Sequence, residues 1–93
     1  MNIEKLILSN GVVNGWVPNI CSMSGALSWE NPQNENVIYG TPNWENKEGW
    51  TPFEVSNMNG DYNSITKIKL GGTLKEQYNQ YKEMLVQIIS KNL

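Results

Sequence analysis

The sequence has no histidine, no arginine and only one cysteine, Cys21. Each absence removes a class of chemistry. Without histidine there is no Ser-His-Asp or Cys-His catalytic unit, and a His/Cys zinc site is excluded with it. One cysteine cannot form a disulfide within the chain. Cys21 has no cationic neighbour in sequence to activate it, so it reads as a buried, inert thiol. All seven cations are lysine. Arginine is the usual reader of guanine edges and clamp of phosphates, and the net charge is −2. Both facts argue against sequence-specific DNA binding. No run approaches the ~20 apolar residues of a membrane span. The apolar stretch Ile3–Leu8 is too short for a signal peptide. With a single thiol, the expected compartment is the cytoplasm.

What remains is a chain of 93 residues, read as one domain over 1–93. Its core is of intermediate size for a small fold. Disulfides and metals are unavailable as staples, which leaves self-association, so a homo-oligomer is expected. No cofactor motif is present. Fourteen asparagines beside abundant lysine and no arginine suggest an AT-rich coding source, such as a low-GC bacterium or a phage or mobile element within one.

Charge divides the chain. Residues 21–61 carry six acids and one lysine, whereas residues 62–93 carry five lysines and two glutamates. The bland account is two solvated faces of opposite sign.

Residues 1–70 read as strand- and loop-rich. Ile3–Leu8 and Val12–Val17 suggest a hairpin, with Asn10-Gly11 or Asn14-Gly15 as its turn. Pro18 stops pairing or marks an edge. Short strands fit Ala26–Trp29, Asn36–Tyr39 and Pro52–Val55, punctuated by Gly, Pro and Asn. Residues 64–70 alternate with period two, Ile68 and Leu70 on one side and Lys67 and Lys69 on the other. Thr73-Leu74-Lys75-Glu76 is a capping box that starts a helix over 73–91. Its apolar stripe is Leu74, Tyr78, Tyr81, Leu85 and Ile88, widened by Met84, Ile89 and Leu93. That extra width is a second motive for self-association. The expected fold is α+β: a small antiparallel sheet of about four or five strands with one C-terminal helix packed across it.

Gly25–Asn31 and Gly40–Asn46 share Gly-x-x-x-Trp-Glu-Asn at an offset of 15. Two copies are too few for a solenoid. The paired Glu30 and Glu45 could act as acid and base on a glycoside, but two surface carboxylates explain them more simply, and no catalysis is expected.

Trp16, Trp29, Trp44 and Trp50 are many for this length. Core packing is the default for each. Trp44 and Trp50, however, lie in a polar loop with Glu45 and Asn46, where they could stack a base or sugar while the neighbours bond its edges. The helix start at Gly72, Thr73 and Lys75, with Lys67 and Lys69 near in sequence, could meet a phosphate, although ordinary capping by Glu76 is the simpler account. Together, Trp44, Glu45, Asn46, Trp50, Lys67, Lys69, Gly72, Thr73 and Lys75 form the candidate ligand site. Two functional classes follow. In one, the chain binds or sequesters a small polar or nucleotide-derived ligand. In the other, it is a stoichiometric inhibitor or adaptor that engages a host protein through its acidic aromatic surface.

Overall fold

The two-residue alternation near the C-terminal end and the capping box behind it become an edge strand and a long helix. The computed structural model describes residues 2–44, 49–57 and 59–92. Five strands, β1 (Val17–Ile20), β2 (Leu27–Glu30), β3 (Val37–Tyr39), β4 (Trp50–Ser56) and β5 (Tyr62–Lys69), form one antiparallel sheet in chain order. A short helix, α1 (Ile3–Asn10), precedes the sheet and a long one, α2 (Leu74–Asn92), follows it. The arrangement is α+β. The middle strands lie within one or two residues of their expected bounds. Among the described residues no helix is long and apolar enough to cross a membrane.

The expected N-terminal hairpin is a helix instead. A short apolar run fits either structure by pattern alone, and capping decides here. The Asn2 side chain accepts the Lys5 amide at 2.9 Å, Glu4 sits in the first turn, and Gly11 ends the helix at φ +73°. Ile3 and Ile7, one turn apart, are both buried. The side chains of Ser9 and Asn10 donate back to the carbonyls of Lys5 and Leu6. Asn10-Gly11 is therefore a helix end, and Asn14-Gly15 is the hairpin turn. Val13 and Trp16 exchange both backbone hydrogen bonds, at 3.0 and 2.8 Å, across Asn14 and Gly15 at φ +48° and +86°. Positive φ at both central residues is what the type I′ turn requires. The returning strand then starts at Val17, not Val12. Pro18 lies inside β1, which is a sheet edge, where a missing amide is tolerated.

One core joins both helices to one face of the sheet. Its members are Ile3, Ile7, Val13, Trp16, Leu27, Trp29, Ile38, Phe53, Leu70, Tyr81, Leu85 and Ile88. Trp16 and Trp29 are each 1% exposed. Each buries roughly 150–250 Å², worth about 4–6 kcal/mol gross at ~25 cal/mol per Å². Rings of this size supply apolar area that so short a chain would otherwise lack. The width of the α2 stripe also has an internal use, because α2 packs against α1 as well as the sheet, and Met84 and Ile89 pack against the core. Leu93 lies outside the described residues.

A buried hydrogen-bonded chain crosses this core. The Trp29 indole N–H donates to the Tyr81 hydroxyl at 2.9 Å, and that hydroxyl donates to the Gly40 carbonyl at 2.6 Å. Gly40 is required by close approach. A Cβ there would lie 2.6 Å from Phe53 Cε1 and 2.8 Å from Tyr81 Oη.

Candidate functional site

With the helices on one side, strand alternation sends every second side chain to an uncovered face. Leu27 and Trp29 of β2, Ile38 of β3, and Thr51, Phe53 and Val55 of β4 face the helices. Their neighbours Ser28, Glu30, Val37, Tyr39, Pro52, Glu54 and Ser56 face away, as the strand registers require. On this open face lies a cavity of about 330 Å³, near the lower end of the ~300–1,000 Å³ range of small-molecule sites.

Three parts of the chain build it. The β1–β2 hairpin provides Asn19, Cys21, Ser24 and Ala26; the strands provide Ser28, Tyr39, Pro52, Glu54 and Tyr62; the segment after β3 provides Thr41 and Trp44. The Thr41-to-Trp44 segment is a turn closed by the Trp44 amide on the Thr41 carbonyl at 3.3 Å. Pro42 and Asn43, the latter at φ +61°, have the residue preferences of a type II turn. Thr41 is itself anchored, since its buried hydroxyl oxygen accepts the Leu27 amide at 2.8 Å. Trp44 therefore stands 54% exposed at the rim of the cavity.

The Tyr39 and Tyr62 rings lie 5.7 Å apart at 35°. The neighbouring Tyr62 hydroxyl, then burial, hold the Tyr39 phenol above its usual pKa, with a smaller push from the Glu30 charge. Tyr39 is thus a neutral ring at physiological pH. Among the described residues Glu54 is the single carboxylate lining the cavity, and the Ser64 hydroxyl approaches it at 3.5 Å. Among the described residues no lysine lines the cavity. Cys21 is exposed, not buried as its sequence context suggested. It lies in a solvent-facing turn, where the Ser24 hydroxyl and the Ser24 and Met23 amides lower its pKa.

Of the nine residues expected at the site, the seven described ones do not all line the cavity. Trp44 lines the cavity, while Glu45 and Asn46 lie outside the described residues. Trp50 is half-buried on the same open face, with Lys67 Nζ 5.2 Å and Lys69 Nζ 6.0 Å from its ring centroid. None of these three lines the cavity. Gly72, Thr73 and Lys75 lie at the start of α2, also away from it. There the capping box is closed in both directions. The Thr73 amide donates to the Glu76 carboxylate and the Glu76 amide to the Thr73 hydroxyl, each at 3.2 Å. These bonds lower the Glu76 pKa. Gln80 bonds both backbone groups of Gly71, and Gln77 donates to the Gly72 carbonyl. The helix start is furnished by its own side chains.

Sequence reasoning missed Asn19, Ser28, Tyr39, Glu54 and Tyr62. The available signal was alternation: Tyr39 follows Ile38, and Glu54 follows Phe53, so each faces away from a core residue. The two tryptophans of the Trp-Glu-Asn repeat are not equivalent, because Trp29 is buried in a strand and Trp44 sits on a turn. No protein-family model, curated protein or solved structure matches the chain. The functional argument therefore rests on the site itself.

Proposed function

We propose that this chain is a non-enzymatic binding protein that holds a small polar ligand in the open-face cavity. One observation carries the reading. A concave site rimmed by the half-exposed Trp44 and lined by Tyr39 and Tyr62 offers flat rings for stacking beside polar groups for orientation. A nucleoside or sugar fits this description. If the chain is encoded by a phage, the role is sequestration of a host signal. The phosphate half of the sequence-based site has less support, since Glu76 engages the helix start and the described lining residues include no cation.

The experiment is a thermal-shift screen of nucleosides, nucleotides, sugars and small amines, followed by calorimetry. Trp44→Ala should weaken binding about 5- to 150-fold, from ~1–3 kcal/mol of stacking. An adequate screen without a hit removes the proposal.

The same face favours a second reading. Glu30 and Glu54 share it with the exposed Val17, Trp44 and Tyr62, a composition suited to a protein partner, with aromatic anchors amid acid. Capture of one specific host protein, abolished by Trp44→Ala and Tyr62→Ala without any small-molecule hit, supports the inhibitor or adaptor.

A further inference from the structure

The chemistry of the lining narrows the ligand class, an argument that rests on the cavity being the binding site. Among the described residues, three aromatic rings (Tyr39, Tyr62 and Trp44) line one cavity with one carboxylate, Glu54, and no lysine. An anionic ligand would meet Glu54 directly and the field of Glu30 near Tyr39, with no cation among the described lining residues to offset them. A neutral ring would stack on Trp44 but leave the Glu54 charge unused. An organic cation uses both, because aromatic faces attract a cationic head within about 6 Å and a carboxylate neutralises it. The open face shows the same interaction within the chain: the ammonium groups of Lys67 and Lys69 sit 5.2 and 6.0 Å from the Trp50 centroid. The Tyr39 phenol stays neutral, so it presents a ring to the cation. We propose that the cavity takes a small alkylammonium ligand, held by Trp44, Tyr39 and Tyr62 and charge-paired with Glu54.

The probe is choline, compared with its uncharged carbon isostere 3,3-dimethylbutan-1-ol and with adenosine, methyl glucoside and adenosine monophosphate. The readout is the indole N–H resonances of the four tryptophans, with Trp44 assigned from Trp44→Phe. Choline should shift the Trp44 resonance saturably and bind at least about tenfold tighter than the isostere, the ratio expected from a desolvated cation–π contact. Glu54→Gln should reduce choline affinity and leave isostere binding unchanged. Tyr62→Phe, which keeps the ring, should retain choline affinity, whereas Tyr62→Leu should lose it. Thermal midpoints of the variants establish that each is folded. Equal binding of choline and the isostere overturns the inference. Binding of adenosine, the glucoside or the monophosphate at Trp44 with no response to choline also overturns it, while the cavity reading survives. No response to any probe at Trp44 removes both.

Discussion

Tyr81→Phe is the most direct test of what holds the helix layer to the sheet. It leaves the ring in place, beside Phe53 at 5.2 Å and Trp29 at 6.5 Å between centroids, and deletes a single oxygen. That oxygen accepts from the Trp29 indole and donates to the Gly40 carbonyl. Trp29 and Gly40 are both buried, so each loses its partner where water cannot replace it. A buried polar group left unsatisfied costs ~1–3 kcal/mol, so two orphaned groups predict a loss of about 2–6 kcal/mol. Against a total stability of roughly 5–15 kcal/mol, that is a large fraction. The corresponding fall in Tm is roughly 8–48 °C at ~4–8 °C per kcal/mol. Urea denaturation followed by tryptophan fluorescence measures it, and a double-mutant cycle with Trp29→Phe separates the bond from the packing. A loss under about 0.5 kcal/mol, less than a typical single hydrogen bond contributes, refutes the reasoning, as does an additive cycle. There is also an alkaline signature. Burial holds the folded-state Tyr81 pKa far above that of an unfolded phenol. The stabilisation is complete below the unfolded value of about 10 and declines as pH rises toward the folded one, because only the unfolded chain ionises. Tyr81→Phe should abolish this part of the alkaline loss of stability.

Four further outcomes are expected. Thr51 is fully buried and its hydroxyl has no partner among the described residues; Thr51→Val keeps the shape and should raise stability by about 1–3 kcal/mol, the cost of the orphaned group, whereas a lower urea midpoint would mean that the hydroxyl has a partner after all. Thr73→Ala should cost about 0.5–2 kcal/mol. Because Glu76 has a lowered folded-state pKa, its contribution is present above the unfolded carboxylate value and lost as pH falls through the folded one, so the gap between wild type and Glu76→Gln should close in acid; a gap that persists there excludes the carboxylate as its source. Met84 and Ile89 of the α2 stripe pack against the core, so self-association rests on core size and the absence of other staples; light scattering at micromolar concentration decides it, a dimer or larger species supporting it and a monomer removing it.

The C-terminal third was legible because its signals are local and agree with one another. Thr73 and Glu76 sit three apart for the capping box, and Ile68 and Leu70 alternate with lysines. The N-terminal helix was misread because a short apolar run satisfies both periods, and the deciding Asn2 cap was outweighed by the hairpin signal of Asn10-Gly11. That same dipeptide type was correct four residues later, where Asn14-Gly15 turns the chain. The four tryptophans divide evenly, Trp16 and Trp29 in the core and Trp44 and Trp50 on the open face. No local pattern separates them, since Trp29 and Trp44 share the same flanking Glu-Asn. The cavity was the least legible feature. It joins alternate positions of several strands, and strand pairing brings together Asn19, Tyr39 and Glu54, which lie far apart in sequence.

The core and the cavity share a segment, which has a consequence for binding. Gly40 accepts from Tyr81 on the helix side, Thr41 accepts from Leu27 within the sheet, and the turn that follows carries Trp44. Tyr81 does not line the cavity, so any effect of Tyr81→Phe on affinity must act through placement of this turn. Apparent affinity falls in proportion to the fraction of molecules holding the competent geometry. A turn correctly placed half the time costs only about twofold, and a tenfold loss requires the competent fraction to drop to about one-tenth. Trp44→Ala removes the stacking surface itself, so its loss of about 5- to 150-fold does not depend on how the turn is placed. A positioning effect should shrink as the folded state is stabilised, so adding Thr51→Val to Tyr81→Phe should recover affinity in part. The same addition should recover nothing in Trp44→Ala. Equal recovery in both would mean that folding, not the geometry of this turn, limits binding.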